Sequence, residues 1–524
     1  MRQRQRRRRS ARTPRRSRTS GASTLTSARA AAQQALAEGM LARLTLSPDE
    51  QATVYDAAVP TDTRLFDVMD RLHVIRDESL LVDAASADVR STAGDDIRRA
   101  ASGHLDAAYR RLERWCALEL RQQPQEGTAA GALLREALAR LAAREDLFRG
   151  VLRVFSDMRA EQLPQMFLRA LKSGAGGARP IEVHAHDAPR YVADMLAWVH
   201  QALAGERELL MSMLGRLGVE ERRRIGERHV GAPGDAHGAL VSDILGRNIA
   251  GCSHALRVRV AHTLELAQDS VTALRLAHIV KFYHATMAHT LGERAALSAV
   301  LAELCDAAHG TFVAALERHV ASVADVQAGA ATLRELLAER ARSAADDGVL
   351  GDLRTYLVRP LHARACRQEA AQQWALSSLF GRRAAPDDAV QLNALDALLA
   401  VLRTDAALAD ECDAVRTDAV RRAEAIRDSV YAEMLAASGI EALDAKKAQL
   451  DAFLASPELL IPESLGMLAR PALRAAIHRA ARTRLADAYA KNYSTLNNYD
   501  ALPEPSQVAV LLDVGDSDLA SAFQ

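Results

Sequence analysis

Apolar side chains recur every three or four residues along nearly the whole chain, which is the spacing of one face of an α-helix. The clearest stripe lies between residues 97 and 120 and consists of Leu105, Ala108, Tyr109, Leu112, Trp115 and Cys116. A second stripe follows Asp187 and is apolar on two flanks, one of which carries Trp198, so it predicts a helix buried on more than one side. No segment shows the alternation and turn residues of a β-strand. The sequence therefore predicts an all-α protein.

Composition agrees with a helical chain. Hydrophobic residues make up 49% of the sequence and aromatic residues only 4%, so the apolar class is carried mostly by the helix formers Ala and Leu. We expect prolines to separate helices, because a missing backbone N–H costs least between them. These prolines are Pro60, Pro124, Pro164, Pro180, Pro233, Pro360, Pro386, Pro457, Pro462 and Pro503. The proline-free stretch between Pro233 and Pro360 is predicted to contain several long helices.

Charge is distributed unevenly along the chain. The 67 basic and 67 acidic residues cancel, but residues 1–18 contain ten arginines and no acidic residue, which leaves the rest of the chain mildly acidic. The clearest linkers are the loops at 173–180 and 231–238. The predicted regions are a disordered Arg/Ser-rich tail (1–26), an N-terminal helical bundle (27–180), a middle helical bundle (181–360) and a C-terminal helical bundle (361–524).

Several classes of protein are disfavoured. The five cysteines are scattered, odd in number and never form a C-x-x-C pair, which argues against a disulfide framework or a zinc ribbon and indicates a reducing compartment. No uninterrupted apolar run reaches the roughly 18 residues of a spanning helix, so a soluble or peripheral protein is expected. The N-terminus lacks the apolar segment of a secretory signal, and although its composition also fits a transit peptide, it has no apolar face.

The motif His184-Ala185-His186-Asp187 admits two interpretations. Two imidazoles followed by a carboxylate are typical of part of a metal site, so a metal-dependent hydrolase that uses His184, His186 and Asp187 is one hypothesis. Proline and glycine flank the motif, however, and Asp187 is well placed to cap a helix that has Pro189 in its first turn. We favour the capping interpretation over metal binding.

Other candidate sites are weaker. The glycine-rich segment 173–177 lacks the Gly-Lys-Ser/Thr ending of a phosphate-binding loop, and it is interpreted as a connection between helices. His284 lies in an apolar helical pattern, which favours a packed or surface imidazole over a catalytic one. No Ser-His-Asp grouping, paired-carboxylate motif or dinucleotide fingerprint is present. We therefore predict no catalytic, cofactor-binding or metal-binding residues, no cofactor, and no enzymatic activity.

The arginines of the tail could neutralise phosphates, so a basic-tailed helical protein associated with nucleic acid is the alternative function. The tail has no interleaved aromatic residue on which bases could stack, and the rest of the chain shows no basic face. Nucleic acid is therefore not expected as a partner.

One segment carries a family resemblance. Residues 179–202, RPIEVHAHDAPRYVADMLAWVHQA, resemble the signature of subunit 6 of the conserved oligomeric Golgi complex, a vesicle-tethering assembly. Further similar islands are YRRLERW (109–115), KFYH (281–284) and FLASPELLIP (453–462). Together the islands cover about residues 35 to 512 in the order of the family.

The resemblance implies an elongated rod of stacked helical bundles and a non-catalytic role in intra-Golgi retrograde vesicle tethering and the maintenance of glycosylation enzymes. It implies a peripheral protein on the cytoplasmic face of the Golgi membrane. The implied partners are the other subunits of the complex, SNARE proteins and small GTPases, which a helical rod would meet through helix-in-groove contacts. It also supports the capping interpretation of Asp187, because the family is not known for metal-dependent catalysis.

The sequence departs from the family at its start. Relatives carry a heptad-rich region before the part matched here, whereas only residues 28–46 offer a similar pattern in this chain. Either the gene model has lost its first exons, or the chain joins its complex by other surfaces. We favour the first alternative, because Met1–Ser20 reads like sequence that no packed element would require.

Overall fold

The structure is a computed structural model that describes residues 19–85, 93–122, 131–174, 177–214, 234–342, 347–367, 387–442, 447–455, 463–494, 502–515 and 518–523. Every regular element within these ranges is a helix, which confirms the all-α class. The chain divides into two compact units: unit 1 takes residues 1–167 and 199–252, and unit 2 takes residues 168–198 and 253–524. These units do not coincide with the three predicted bundle regions, which stay a prediction.

Among the described helices, eight lie wholly or mainly in unit 1, and two of these, α6 and α7, also contribute residues to unit 2. They are α1 (Thr19–Leu44), α2 (Pro48–Tyr55), α3 (Thr63–Ala85), α4 (Ala93–Gln122), α5 (Ala132–Leu141), α6 (Glu145–Lys172), α7 (Ala188–Leu214) and α8 (Gly234–Ile249). Helix α1 begins at Thr19, inside the segment 1–26 of the predicted tail, and the bounds of that tail stay a prediction. Alanines in this stretch favour a helix. Residues 1–18 lie outside the described residues.

The predicted stripe of α4 is confirmed. Leu105, Ala108, Tyr109, Leu112 and Cys116 are buried, whereas Trp115 at the edge of the stripe is only half-buried. Arg111 on the same helix is also buried. Its guanidinium donates hydrogen bonds to the backbone carbonyls of Asp56 and Val59 in the connection between α2 and α3. The helix therefore holds its neighbours by apolar packing and by one buried arginine.

A buried polar network joins α6, α7 and α8 within unit 1. Arg159 Nε donates a hydrogen bond of 2.9 Å to Glu206 Oε1, and a second guanidinium nitrogen contacts the same oxygen. Asn248 Nδ2 donates to Glu206 Oε2 at 2.9 Å, and Ser156 Oγ donates to Asn248 Oδ1 at 2.7 Å. All four residues are buried, so each polar group depends on its partner rather than on water.

Unit 2 contains most of the remaining helices. They are α9 (Cys252–Leu266), α10 (Ser270–Leu291), α11 (Ala296–Ser322), α12 (Val326–Arg342), α13 (Asp347–Asp352), a π-helical segment (Leu353–Val358), α14 (Arg359–Ala365), α15 (Asp387–Leu402), α16 (Ala409–Ser438), α17 (Lys447–Ala455), α18 (Glu463–Gly466), α19 (Pro471–Tyr493) and α20 (Pro505–Leu511). Short 3₁₀ turns occur at Ile181–His184, Ala406–Leu408, Ile440–Ala442 and Ala520–Phe523. The long helices predicted between Pro233 and Pro360 are confirmed.

The core of unit 2 is centred on α15, which packs against α12, α14 and α16. Buried residues lie on all sides of this helix, including the adjacent pairs Leu398 and Leu399, and Val401 and Leu402. A helix that is apolar around its whole circumference has to be surrounded by others. This accounts for the apolar run near residue 400 without a membrane.

The prediction that prolines separate helices is wrong at two positions. Pro164 lies inside α6, where it leaves the carbonyl of Ala160 without its usual helical donor. The turn at Gly251 lies directly against this proline, because a Cβ at Gly251 would come within 2.4 Å of the Pro164 ring. Pro360 lies in an unbroken helical run, and the preceding π-helical segment, with its wider turn, accommodates it.

Among the described helices, α11 alone has the length and mean hydropathy, 1.4 over its best window, that a membrane-spanning helix requires. Its buried residues fall on one face and include Leu297, Leu301, Leu304, Ala308 and Phe312. The opposite face carries the exposed Glu303, Asp306 and Glu317. This one-sided pattern is typical of an amphipathic helix whose apolar face packs on a core, here against α10.

Candidate functional site

The signature segment 179–202 begins with Pro180 and a 3₁₀ turn and continues into α7. Asp187 caps that helix: its Oδ1 accepts a hydrogen bond of 3.3 Å from the backbone N–H of Arg190, and its carbonyl accepts the N–H of Tyr191 at 2.8 Å. Pro189 lies in the first turn, where a backbone N–H would have no acceptor within the helix, so the proline costs no hydrogen bond there. The capping prediction is confirmed.

His184, His186 and Asp187 do not converge on a common point. The two imidazole ring centroids are 6.4 Å apart, and His186 Nδ1 lies 3.2 Å from the carbonyl oxygen of Val183. The Asp187 carboxylate is occupied by the helix cap. Within the part of the chain that the structure describes, the possible ligand atoms of these three side chains do not all lie within 4.8 Å of one another. The arrangement therefore gives no support to a metal-dependent hydrolase at this motif.

A cleft of about 520 Å³ lies beside the motif, within unit 2, between the start of α7, the end of α9 and the start of α10. Its lining includes Tyr191, Arg259, His262, Leu266 and Asp269. Leu266, one of the lining residues, is 66% exposed, which places an apolar side chain at the rim of the cleft. A concave surface of this kind suits the capture of a side chain or a short segment.

The polar groups around the cleft already have partners. Arg259 donates a hydrogen bond of 3.1 Å to Glu182 and so ties α9 to the 3₁₀ turn. Asp269 caps α10 by accepting the N–H of Thr272 at 2.9 Å. Burial raises the pKa of Tyr191, whose hydroxyl therefore stays protonated at neutral pH. The residues of this cleft hold helix ends together and provide shape for binding.

Two islands of the resemblance interact electrostatically in unit 2. Burial raises the pKa of Tyr283 in the KFYH island, and the carboxylate of Asp194 in the signature segment raises it further. Phe282 of the same island is 64% exposed. Trp198 is half-buried, so the predicted burial of the second flank of α7 is only partial. His284 is half-buried as well, consistent with a packing role.

One side-chain cluster was missed by the sequence reasoning. His362 lies on α14, Cys366 follows one turn later as the residue that caps the end of this helix, and Asp418 of α16 lies close to both. Burial raises the pKa of the Cys366 thiol, and the Asp418 carboxylate raises it further. For comparison, at Cys252, the first residue of α9, burial alone raises the pKa of the thiol to about 12. A histidine followed four residues later by a cysteine in a helical pattern was the available signal. Nothing in the sequence indicated that Asp418 would join them.

Some predicted features lie outside the described residues. They are the arginines of residues 1–18, most of the island at 453–462, and the centre of the glycine-rich segment 173–177.

Comparisons with known proteins agree on one family. The family model "Conserved Oligomeric Golgi complex subunit 6, C-terminal" matches residues 91–446. A relative named conserved oligomeric Golgi complex subunit 6, from Cryptococcus neoformans var. neoformans, is 33% identical over 281 residues, which is 53% of this chain and 37% of the relative. The protein of the same name from Neosartorya fischeri is 33% identical over 290 residues, or 52% of this chain and 39% of that protein. The matched part thus spans about two fifths of these relatives.

A solved structure also resembles the chain. The exocyst component Exo70p of S. cerevisiae matches with a TM-score of 0.49 and 9% sequence identity, over 90% of this chain and 98% of that one.

Proposed function

The chain belongs to the conserved oligomeric Golgi complex subunit 6 family, and on this premise we propose that it acts as a non-catalytic subunit of that complex. The observation that carries the proposal is the family match over residues 91–446, which includes the signature segment and the KFYH island. The matched part covers only about two fifths of the length of these relatives. The proposal therefore concerns the function of the complex, to which this chain contributes as one subunit.

The finer role is intra-Golgi retrograde vesicle tethering that keeps glycosylation enzymes in place. We propose that the chain acts as a peripheral protein on the cytoplasmic face of the Golgi membrane. The partners are the other subunits of the complex, SNARE proteins and small GTPases. Helical partners suit an all-helical surface because their apolar faces can lie in grooves between helices.

Helix α1 supports assembly with another subunit. Its residues Leu36, Met40 and Leu41 are 67%, 55% and 61% exposed, although long apolar side chains four residues apart, as Leu36 and Met40 are, usually lie on the buried face of a packed helix. The helix is anchored to α3 by the ion pair between Arg43 and Glu78. The exposed apolar residues of α1 thus form a stripe that a helix of a second subunit could cover.

Affinity purification of the tagged full-length chain from its own cells tests the proposal. We expect the other subunits of the Golgi complex to be recovered in constant proportion and at moderate salt. Recovery of nucleic acid or chromatin proteins instead, lost as salt is raised, would contradict the proposal and favour the basic-tailed alternative.

A variant pair tests the role of α1 within that experiment. Leu36→Glu with Leu41→Glu places charges on the exposed stripe, and we expect it to reduce the recovery of partner subunits without changing the helical content of the chain. Val510→Glu is the matched control, because Val510 is 80% exposed on α20. Equal recovery with both variants would remove α1 from the assembly surface.

A further inference from the structure

Three side chains with different donor atoms meet between α14 and α16 of unit 2. His362 Nε2 lies 2.9 Å from Asp418 Oδ2, and Cys366 Sγ lies 3.5 Å from the same oxygen. The three ligand atoms are all within 4.8 Å of one another. One nitrogen, one sulfur and one oxygen donor thus face a single point.

We propose that His362, Cys366 and Asp418 form a binding site for a divalent transition-metal ion, with Zn²⁺ as the expected occupant. Zn²⁺ prefers imidazole nitrogen and thiolate sulfur, accepts carboxylate oxygen, and binds them at about 2.0 to 2.3 Å. Tetrahedral ligands at those distances are about 3.2 to 3.8 Å apart by simple geometry. The separations of 2.9 and 3.5 Å from Asp418 Oδ2 are close to this range, and the His362 and Cys366 donor atoms lie within 4.8 Å of each other, so side-chain rotations have to bring the three donors to a common distance from the ion.

Both helices that carry the ligands are firmly seated. Leu361 and Ala365, each next to a ligand on α14, are fully buried, and so is Ala419 beside Asp418. Leu361 packs directly against Gly329 of α12, where a Cβ would come within 2.5 Å of its side chain. A site on rigid elements keeps its ligands close to the binding geometry before the ion arrives.

The surroundings orient the carboxylate and balance its charge. Arg421 pairs with Asp418 Oδ1 and leaves Oδ2 directed toward His362 and Cys366. Such a partner on the second oxygen fixes the orientation of a ligating carboxylate. Arg422, nearby on α16, is paired with Asp388 at 2.9 Å. When the ion binds, the Cys366 thiol releases its proton to solvent, and the thiolate and the carboxylate then carry two negative charges, which a divalent ion neutralises.

The site is accessible from solvent. The side chains of His362 and Asp418 retain 23% and 22% of their exposure, so an ion can enter and a water molecule can serve as a fourth ligand. This open position distinguishes the trio from the thiols of Cys116 and Cys252, which are buried.

A second pair in unit 2 provides an internal control. His309 Nε2 lies 2.8 Å from Asp352 Oδ2, which repeats the contact between an imidazole and a carboxylate. Among the described residues, no cysteine sulfur joins this pair within 4.8 Å. If His362 and Asp418 served only to pin two helices, the two pairs would respond alike to metal ions.

The proposal is tested by titrating the reduced, metal-free full-length chain with Co²⁺, which reports thiolate coordination by a charge-transfer absorption, and then displacing it with Zn²⁺. We expect one ion per chain, loss of the thiolate absorption in Cys366→Ser, and affinity lowered by about 100-fold or more in Asp418→Asn. The His309→Gln control should bind as the unmodified chain does. Zn²⁺ should raise the melting temperature of the unmodified chain and leave that of Cys366→Ser unchanged.

Two results would overturn the site. Thiolate absorption that persists in Cys366→Ser would place the ion on another cysteine, and the absence of saturable binding by the unmodified chain would leave only a helix-pinning contact. Because Cys366→Ser keeps a small polar side chain at a half-buried position, we expect it to remain folded, which circular dichroism checks directly. If Asp418→Asn unfolds, the serine variant alone decides the outcome.

Discussion

The two units handle buried charge differently. Within the described part of the chain, all charged side chains that are buried, namely Arg111, Arg159 and Glu206, belong to unit 1. The buried polar residues of unit 2 are small hydroxyls and Gln391, while its core consists of aliphatic and aromatic side chains. A core held by apolar packing tolerates substitutions that keep the side-chain volume. A buried ion pair is strongly destabilised when either partner is removed, because the other charge is left buried and unpaired. Unit 1 is therefore expected to be specific in its pairing, and unit 2 robust to conservative changes.

The largest expected effect is in the unit 1 network. Glu206→Ala leaves the Arg159 guanidinium buried without its counter-charge, and we expect a loss of about 3 to 5 kcal/mol in the free energy of unfolding. Urea unfolding with hydrogen exchange at α6 and α8 measures it. Glu208→Ala, at an exposed position of α7, is the control. Replacing Arg159 and Glu206 together by Met and Leu should recover most of the loss, and failure to do so would end the contrast between the units.

A core truncation in unit 2 should be costly for a different reason. Leu395→Ala removes a fully buried side chain of α15 and leaves a cavity, so we expect about 2 to 5 kcal/mol of destabilisation. Leu395→Met should cost less than about 1.5 kcal/mol, because volume is conserved. Thermal melting compares both with Leu511→Ala, which alters a half-exposed leucine. If Leu395→Met is as destabilised as Leu395→Ala, then unit 2 tolerates conservative substitutions no better than unit 1 does.

The amide in the unit 1 network should contribute less than the ion pair. Asn248→Ala leaves Ser156 Oγ without its acceptor and Glu206 Oε2 without a donor, and we expect a cost of about 1 to 3 kcal/mol. Adding Ser156→Ala to that variant should cost little more, since the hydroxyl has already lost its partner. Strictly additive losses in a double-mutant cycle would mean that the network acts as separate pairs.

The smallest expected effect concerns the signature segment in unit 2. Asp187→Ala removes the cap of α7 and should lower the free energy of unfolding by about 0.5 to 2 kcal/mol. Asp187→Asn retains an acceptor and should be close to neutral. An alanine variant with an unchanged melting curve would show that the capping bond contributes nothing.

The sequence predicted periodic features well and pairings poorly. The stripe of α4, the proline-free helices and the Asp187 cap followed from local spacing, because each depends on residues within one or two turns. The association of Arg159 with Glu206 and Asn248 did not, since it joins three helices far apart in sequence. Pro164 was misjudged because its cost is met by tertiary packing against Gly251, which local rules cannot anticipate.

The candidate sites follow the same division. Family resemblance located residues 179–202, and the cap within them was predictable from Asp187 and Pro189. The cleft beside them depends on the end of α9, and the trio depends on Asp418, which is separated from Cys366 by 52 positions. Spacing along one helix can suggest that two residues of such a cluster lie on the same face. The residue from the second helix is known only once the packing of the two helices is known.

The π-helical segment Leu353–Val358 determines which residues of α14 face α16. An α-helix turns by about 100° per residue, and a π turn takes up one residue more than an α turn before the helix resumes. If the same residues wound as a uniform α-helix, everything after the segment would be rotated by about 100°, which would carry His362 and Cys366 away from Asp418, whereas deleting a single residue there removes the extra residue and should leave the phase unchanged. The length of one turn, rather than any side chain within it, thus fixes the angular phase of a whole constellation.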